Sequence, residues 1–177
     1  CRARPLYGSA QARATLETII GEVLAAPRDP AKLRADVLEM RGTMATHKPA
    51  KGPLDAKLAR GGLVDIEFLV HYLQLREGAA VRDALTPQLG EAVRGLIAAG
   101  LLPAGMIDAH DALSRLLIAA RLLAPDAQLP PPAARSVLAR ACGCGDWEEV
   151  LPRLAAARGE VARAWHATFG ETLEIEP

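Results

Sequence analysis

Hydrophobic residues recur every three or four positions along most of this chain, which is the spacing of amphipathic helices. The first such segment covers residues 9–26 and stops at Pro27. Asp29 and Pro30 then provide an N-cap and a first-turn proline for a second helix. The apolar stripe of the first predicted helix is Leu16, Ile19, Ile20, Val23 and Leu24. The stripe of the second is Leu33, Val37, Met40 and Met44.

A long loop at residues 47–60, with two prolines and a glycine, separates these helices from the rest of the chain. A loop of this length inside a compact domain is often functional. Five further helices are predicted at residues 63–76, 86–100, 103–123, 133–141 and 146–168. Their start signals include Gly61-Gly62, Thr86-Pro87 and an N-cap at Asp146. No strand-like alternation is present, so we predict an all-α fold, an antiparallel up-and-down bundle of six to seven helices.

Composition limits the classes of function. The chain has 177 residues, is 50% hydrophobic and carries 21 basic and 21 acidic side chains. A net charge of zero argues against a general nucleic-acid binder, which needs excess positive charge to displace counterions. The apolar content excludes a disordered chain. The apolar runs are too short and too often interrupted by arginine to span a bilayer, so no membrane contact is expected.

The three cysteines indicate a reducing compartment. Cys1, Cys142 and Cys144 are odd in number and lack the spacing of zinc ligands, which fits a cytoplasmic protein without a disulfide framework. Cys142 and Cys144 flank a glycine at a predicted turn and are expected to be small buried residues. Since the sequence begins at Cys1 without an initiator methionine, we interpret it as a piece of a longer protein.

One stretch concentrates positive charge. Lys48, Lys51 and Lys57 are three of the four lysines in the chain, and Arg60 follows them. This basic loop leads into Gly61-Gly62 and a helix N-terminus, where unpaired N–H groups and a partial positive charge suit anions. The pattern indicates a contact to phosphate. A solvated loop with a flexible helix start explains the same charges and remains open.

Asp65 and Glu67 follow directly in the third predicted helix. On a strand such a pair would share a face, but on a helix the two residues lie about 200° apart and cannot chelate one ion. Asp65 falls among apolar residues, so we expect it to be buried beside a partner or directed into a cleft. Its favourable interaction with the helix dipole is the alternative. Glu67 forms a polar strip with His71 and Gln74, and a functional and a structural role are equally open for it.

The remaining candidates for chemistry are weak. Glu67 and His71 have an i, i+4 spacing that suits a metal, but two ligands do not make a site. His110-Asp111 spells a dyad of metal phosphohydrolases, yet no other histidine is placed to support it. We therefore predict no catalytic residue and no metal ligand in this chain.

Two segments resemble the glutamine synthetase adenylyltransferase family: DVLEMRGTM at 36–44 and LDAKLARGGLVDIEFLVHYLQLR at 54–76. The helical domains of that family carry the motif K-x-x-x-G-G-[IL]-x-D-[IV]-E-[FW]. The matching residues here are Lys57, Gly61, Gly62, Asp65, Glu67 and Phe68, with Glu39, Met40 and Arg41 upstream. About the first half of the chain carries this resemblance. Similar helical domains occur in PII uridylyltransferases, which are a close alternative.

The resemblance implies a position within a larger enzyme. Each half of the family's enzymes pairs a nucleotidyltransferase domain with a following helical domain. The catalytic G-S turn with a D-x-D pair is missing here, since no D-x-D follows Gly8-Ser9. We therefore expect residues 1–8 to be the exit from an upstream nucleotidyltransferase domain and residues 9–177 to form the helical bundle. The piece alone is then expected to be inactive.

The resemblance also implies an activity. The family's C-terminal half adenylylates a tyrosine of glutamine synthetase with ATP and magnesium, and its N-terminal half removes the AMP by phosphorolysis. The E-M-R-x-x-M and D-I-E-F spellings are more similar to the C-terminal half. Expected partners are the upstream domain, glutamine synthetase and a PII signalling protein. Neither ATP nor magnesium is expected to bind the piece tightly by itself.

Two roles are implied for the motif. In the first, Lys57, Arg60 and the Gly61-Gly62 amides contact phosphate or ribose, while Asp65 and Glu67 hold the loop or bridge to the catalytic domain. In the second, the motif is a latch between domains and does not touch nucleotide. A different class of function is a docking module that binds glutamine synthetase or a PII protein through an exposed helical face.

Overall fold

The helical pattern produces seven α-helices in a computed structural model that describes residues 3–175, apart from the side chain of Asp83. The helices are α1 Ala10–Ala25, α2 Pro30–His47, α3 Leu63–Glu77, α4 Leu89–Ala98, α5 Gly105–Leu123, α6 Pro132–Ala141 and α7 Val150–Phe169. Short 3₁₀ segments cover Gly78–Ala84 and Pro125–Ala127. Within the described residues there is no strand, so the all-α prediction is confirmed.

Helix α3 is apolar on nearly every side, and it accordingly contacts α1, α2, α4, α5 and α7. The most extensive helix contact joins α5 to α7. Aromatic rings close the core between α3 and α7: the ring of Phe169 lies 4.7 Å from that of Tyr72 and 4.4 Å from that of Trp165, measured between centroids. These contacts hold the second half of α3 against the C-terminal end of α7, a helix that is distant in sequence.

The predicted N-cap of α2 is confirmed. The carboxylate of Asp29 accepts hydrogen bonds from the amides of Ala31 at 2.9 Å and Lys32 at 3.2 Å, and Pro30 occupies the first helical position. Ser9 caps α1 in the same way by accepting from the Ala12 amide. Local sequence therefore sets both starts.

Two helices begin later than predicted, because a side chain stabilises a turn in front of each. The hydroxyl of Thr86 accepts from the Gln88 amide, and α4 begins only at Leu89. Asp146 accepts from the Glu149 amide at 3.1 Å, and α7 begins at Val150. Asp146 is therefore a turn residue and not the helix N-cap.

Only one side of helix α1 packs against the rest of the bundle. None of its residues is buried: Ile20 and Leu24 are half-buried, whereas Leu16, Ile19 and Val23 are 47%, 48% and 57% exposed. The predicted stripe is thus split between a face toward α3 and a face in solvent. Among the described helices, none is both long and apolar enough to cross a membrane.

Candidate functional site

A buried ion pair holds the beginning of α3 to α2. Arg41 Nε donates to Asp65 Oδ1 at 2.5 Å and Arg41 Nη2 to Asp65 Oδ2 at 3.2 Å, with side-chain exposures of 3% and 0%. Such a two-point contact fixes orientation as well as distance. The same guanidinium reaches the carbonyl of Leu58 at 3.3 Å. The expectation that Asp65 is buried beside a partner is confirmed, and its partner is the arginine of the upstream E-M-R.

The loop that precedes α3 folds back onto the helix start. Asp65 Oδ2 accepts from the Gly61 amide at 2.7 Å, and the Gly62 amide donates to the carbonyl of Ala59 at 2.9 Å. The next two amides donate to loop carbonyls, Leu63 to Ala56 at 2.9 Å and Val64 to Lys57 at 3.1 Å. The amides at this helix N-terminus therefore all have acceptors within the chain. In this arrangement an anion would be contacted by side chains.

Both glycines are required by packing. Gly61 has φ +78°, and a Cβ at this position would lie 2.7 Å from the carbonyl oxygen of Arg158 in α7. A Cβ at Gly62 would lie 2.7 Å from the carbonyl oxygen of Ala59. Arg158 Nε also donates to the carbonyl of Arg60 at 2.8 Å. Gly61 thus allows the loop to approach α7 closely, and Gly62 allows the loop to fold back against its own carbonyl groups.

Asp55 organises the loop at its other end. Its Oδ1 accepts from the amides of Lys57 at 3.1 Å and Leu58 at 2.9 Å, and its Oδ2 accepts from the Lys51 amide at 3.1 Å. With 8% exposure the carboxylate is buried, and its hydrogen bonds go to the backbone. The loop is consequently an ordered turn structure and not a flexible linker.

The positive charges of the loop fall into two groups. Lys51 and Lys57 border a cavity of about 310 Å³ between the loop and α5. Lys48 and Arg60 border another, of about 250 Å³, beside Arg158. Arg60 also borders a third cavity of about 550 Å³, with Arg41 and Trp165. Of the candidate phosphate contacts, Lys57 and Arg60 therefore line different cavities.

Glu67 lies half-buried on α3, two residues beyond Asp65 and on another side of the helix. His110 Nδ1 lies 3.0 Å from Asp111 Oδ1, its direct neighbour in sequence. The described residues contain no group of three histidine, cysteine, aspartate or glutamate side chains that could hold a metal ion.

Cys142 and Cys144 are both buried, as expected from their position at the turn after α6. Burial, and secondarily the neighbouring Cys144, raises the pKa of the Cys142 thiol above its ordinary value. A thiol in this environment stays protonated and is a poor nucleophile.

Sequence reasoning missed Arg41 and Asp55 as members of the site. Arg41 was recognised only as part of the E-M-R match, because nothing local shows that it reaches a residue 24 positions later. Asp55 carried a signal that could have been used: an aspartate in a turn often accepts from amides two and three residues ahead.

Known proteins of one kind are similar to this chain along most of its length. A bifunctional glutamine synthetase adenylyltransferase/adenylyl-removing enzyme of Caulobacter vibrioides is 38% identical over 174 residues, which is 94% of this chain and 18% of that protein. Proteins of the same name from Bordetella bronchiseptica and Brucella suis are 36% and 34% identical over 90% and 84% of the chain. The chain belongs to the glutamine synthetase adenylyltransferase family. No protein-family model matches the chain.

The chain matches only one region of these glutamine synthetase adenylyltransferases. It spans 18% of the length of the Caulobacter and Bordetella proteins and 16% of the Brucella protein. The family resemblance seen in residues 36–76 is confirmed, and the similarity extends well beyond that motif, to most of the chain.

Proposed function

We propose that this chain is the helical domain of the adenylylating half of a cytoplasmic glutamine synthetase adenylyltransferase. The observation that carries the family part of the proposal is the similarity along 94% of the chain to an enzyme named for both adenylyl transfer and removal. The choice of the adenylylating half rests on the E-M-R-x-x-M and D-I-E-F sequences at residues 39–44 and 65–68. In the longer protein the chain would follow a nucleotidyltransferase domain that contains the catalytic carboxylates. Its function would then be to complete the cleft of that domain.

In the proposed reaction a tyrosyl oxygen of glutamine synthetase attacks the α-phosphorus of ATP. An oxygen–phosphorus bond forms to the tyrosine, the bond from the α-phosphorus to the bridging oxygen breaks, pyrophosphate leaves, and the tyrosine gives up its proton. Negative charge on the phosphates is stabilised by positioned cations. Lys57 and Arg60 are the candidates from this chain, because both side chains reach the surface of the loop.

The other residues of the motif would hold that loop in place. The Arg41–Asp65 pair and the Gly61 amide join α2, α3 and the loop, and Asp55 fixes the backbone of Lys57 itself. Glu67 is the candidate for a contact to the neighbouring domain. In this division of roles, Gly61-Gly62 supports the site by close packing, and the charged side chains contact phosphate or ribose.

Magnesium does not fit the two buried carboxylates of the loop and the helix start, Asp55 and Asp65. Asp65 is occupied by a guanidinium and an amide, Asp55 by three backbone amides, and no third ligand accompanies either of them. Mg²⁺ requires several oxygen ligands in near-octahedral geometry. We therefore assign metal binding to the proposed upstream domain and only phosphate contact to this chain.

The experiment is a Lys57→Ala substitution in the longer enzyme that contains this chain, with Lys32→Ala as matched control. Lys32 is an exposed lysine that pairs with Asp36 on α2. We expect KM for ATP to rise about tenfold or more for Lys57→Ala, the effect of losing one charged hydrogen bond, and to stay unchanged for the control. An unchanged KM for Lys57→Ala would remove the phosphate role and leave the interdomain latch.

The same enzyme distinguishes the two halves. Adenylylation is measured as ATP-dependent labelling of glutamine synthetase, and removal as phosphate-dependent loss of that label. We expect Lys57→Ala to impair the first reaction more than the second. The reverse result would place this chain in the adenylyl-removing half.

A second candidate function is a docking module, and the exposed face of α1 favours it. Leu16, Ile19 and Val23 leave an apolar strip in solvent. Binding of the chain by itself to glutamine synthetase or to a PII protein, measured by calorimetry and lost in Ile19→Arg, would support docking. Absence of binding would favour the role as the partner of a catalytic domain.

A further inference from the structure

The cavity between the basic loop and α5 has the composition of a small-ligand site. Its volume of about 310 Å³ is at the lower end of the range for ligand pockets. Leu58, Leu117 and Ala120 form an apolar wall, and Lys57 and Arg121 stand at its edge. An apolar wall beside two cations suits a ligand with a flat or aliphatic body and an anionic group.

Some charged side chains that line this cavity are paired within the chain, and others are not. Lys51 Nζ is paired with Asp126 Oδ1 at 3.1 Å, and the Asp55 carboxylate is occupied by backbone amides. Neither Lys57 nor Arg121 takes part in an ion pair among the side chains that the structure describes. Two cations without acidic partners therefore face the same space from the loop and from α5.

The rim of the cavity is tightly built. The Leu54 amide donates to the carbonyl of Ala127 at 3.0 Å, and Gln128 Nε2 donates to the carbonyl of Lys51 at 2.8 Å. Gly52 approaches so closely that a Cβ there would lie 2.5 Å from the Ala127 oxygen. The rim thus keeps the loop, and with it Lys57, at a fixed distance from α5.

The same rim contains unusual backbone. Asp126 and Ala127, with φ of +53° and +57°, are the non-glycine residues with positive φ among those described. This conformation is unfavourable for residues that carry a Cβ, and strain of this kind concentrates at functional sites. The strained turn carries the carbonyl that receives the loop amide, so the strain serves to close the rim.

We propose that this cavity binds a nucleoside monophosphate group, with Lys57 and Arg121 on the phosphate and the apolar wall against the base. Arg121 supplies a planar fork of donors that matches two phosphate oxygens, and Lys57 adds a point charge. The proposal rests on the proposed function in giving Lys57 a phosphate. It adds Arg121, which lies outside the family motif. It also means that Arg60, which lines other cavities, does not contact this phosphate.

The experiment titrates the chain itself with AMP and follows its backbone amide signals by NMR. We expect shifts at Lys57, Leu58, Leu117 and Arg121. The dissociation constant for AMP should rise at least about tenfold in Arg121→Ala, because a charged hydrogen bond to phosphate is lost. Arg140→Ala on α6 is the control, since Arg140 is also exposed and lies outside the cavity. It should leave AMP binding unchanged.

Adenosine and inorganic phosphate, used alone, test the two parts of the site. Both should bind more weakly than AMP at the same residues. Shifts elsewhere, equal losses in the two arginine variants, or phosphate binding as tightly as AMP would each overturn the proposal. A negative result here together with a raised KM for ATP in Lys57→Ala of the longer enzyme would overturn this cavity and leave the proposed function intact.

Discussion

Arg41 Nε lies 2.5 Å from Asp65 Oδ1 in the interior between α2 and α3. This contact joins Arg41 of the upstream E-M-R segment to Asp65 of the family motif, and the basic loop lies between the two residues in sequence. Because Asp65 also accepts from the Gly61 amide, one buried carboxylate connects α2, α3 and the end of the loop. The E-M-R segment and the family motif therefore form one structural unit.

Asp65→Asn should destabilise the chain by about 3–5 kcal/mol, because it leaves the buried guanidinium of Arg41 without a compensating charge. The measurement is the free energy of unfolding from urea titration. Asp36→Asn is the matched control: Asp36 pairs with Lys32 at 2.9 Å, but both side chains are more than half exposed. Its cost should stay below about 1 kcal/mol.

Removing both partners tests whether the pair acts as a unit. The variant with Arg41→Met and Asp65→Leu should lose less stability than the sum of the two single changes, since no unpaired charge remains buried. Additive losses would show that the two side chains contribute independently, contrary to the geometry.

Gly61→Ala should cost about 1–3 kcal/mol, since Gly61 has φ +78° and its Cβ would lie 2.7 Å from the Arg158 carbonyl oxygen. Gly42→Ala in α2 should have the opposite effect on stability. A Cβ at Gly42 has no atom within 4 Å, so alanine should stabilise that helix by about 0.5–1 kcal/mol. Thermal and urea unfolding measure both. Equal effects at the two positions would contradict the close approach of the loop to α7.

The fold was predictable from the sequence wherever one residue type or one local pattern decides the outcome. Hydrophobic spacing located the seven α-helices of residues 3–175, and Asp29 with Pro30 defined the beginning of α2. The starts of α4 and α7 were misplaced because Thr86 and Asp146 can stabilise either a helix end or a preceding turn. Whether such a residue caps the helix or stabilises the turn before it depends on tertiary packing, which the local sequence does not show.

The candidate site was predictable only in part, for a similar reason. The apolar surroundings of Asp65 indicated a buried partner, but the identity of Arg41 depends on how α2 lies against α3. Lys57 and Arg60 are three positions apart in sequence, yet the turn held by Asp55 places them on different cavities. Proximity in sequence does not determine which cations share a ligand.

Ile19→Ala should change stability by less than about 1 kcal/mol, although a hydrophobic stripe would place Ile19 in the core. The side chain is 48% exposed, so little apolar area is lost from a buried environment. Ile66→Ala in α3 is the matched comparison: it removes the same atoms from a residue with 0% exposure and should cost about 2–5 kcal/mol. Similar costs at the two sites would mean that α1 packs more fully than the structure shows.

Alkaline pH should destabilise the chain through Cys142. Because burial raises the pKa of this thiol in the folded state, the folded chain holds its proton at pH values where the unfolded chain has released it. The contribution is complete below the ordinary thiol pKa and is lost as pH rises from that value through the raised one. Urea midpoints measured from pH 7 to about 10.5 should therefore fall more steeply for the natural chain than for Cys142→Ala. Parallel curves for the two proteins would show that this thiol does not contribute to the pH dependence.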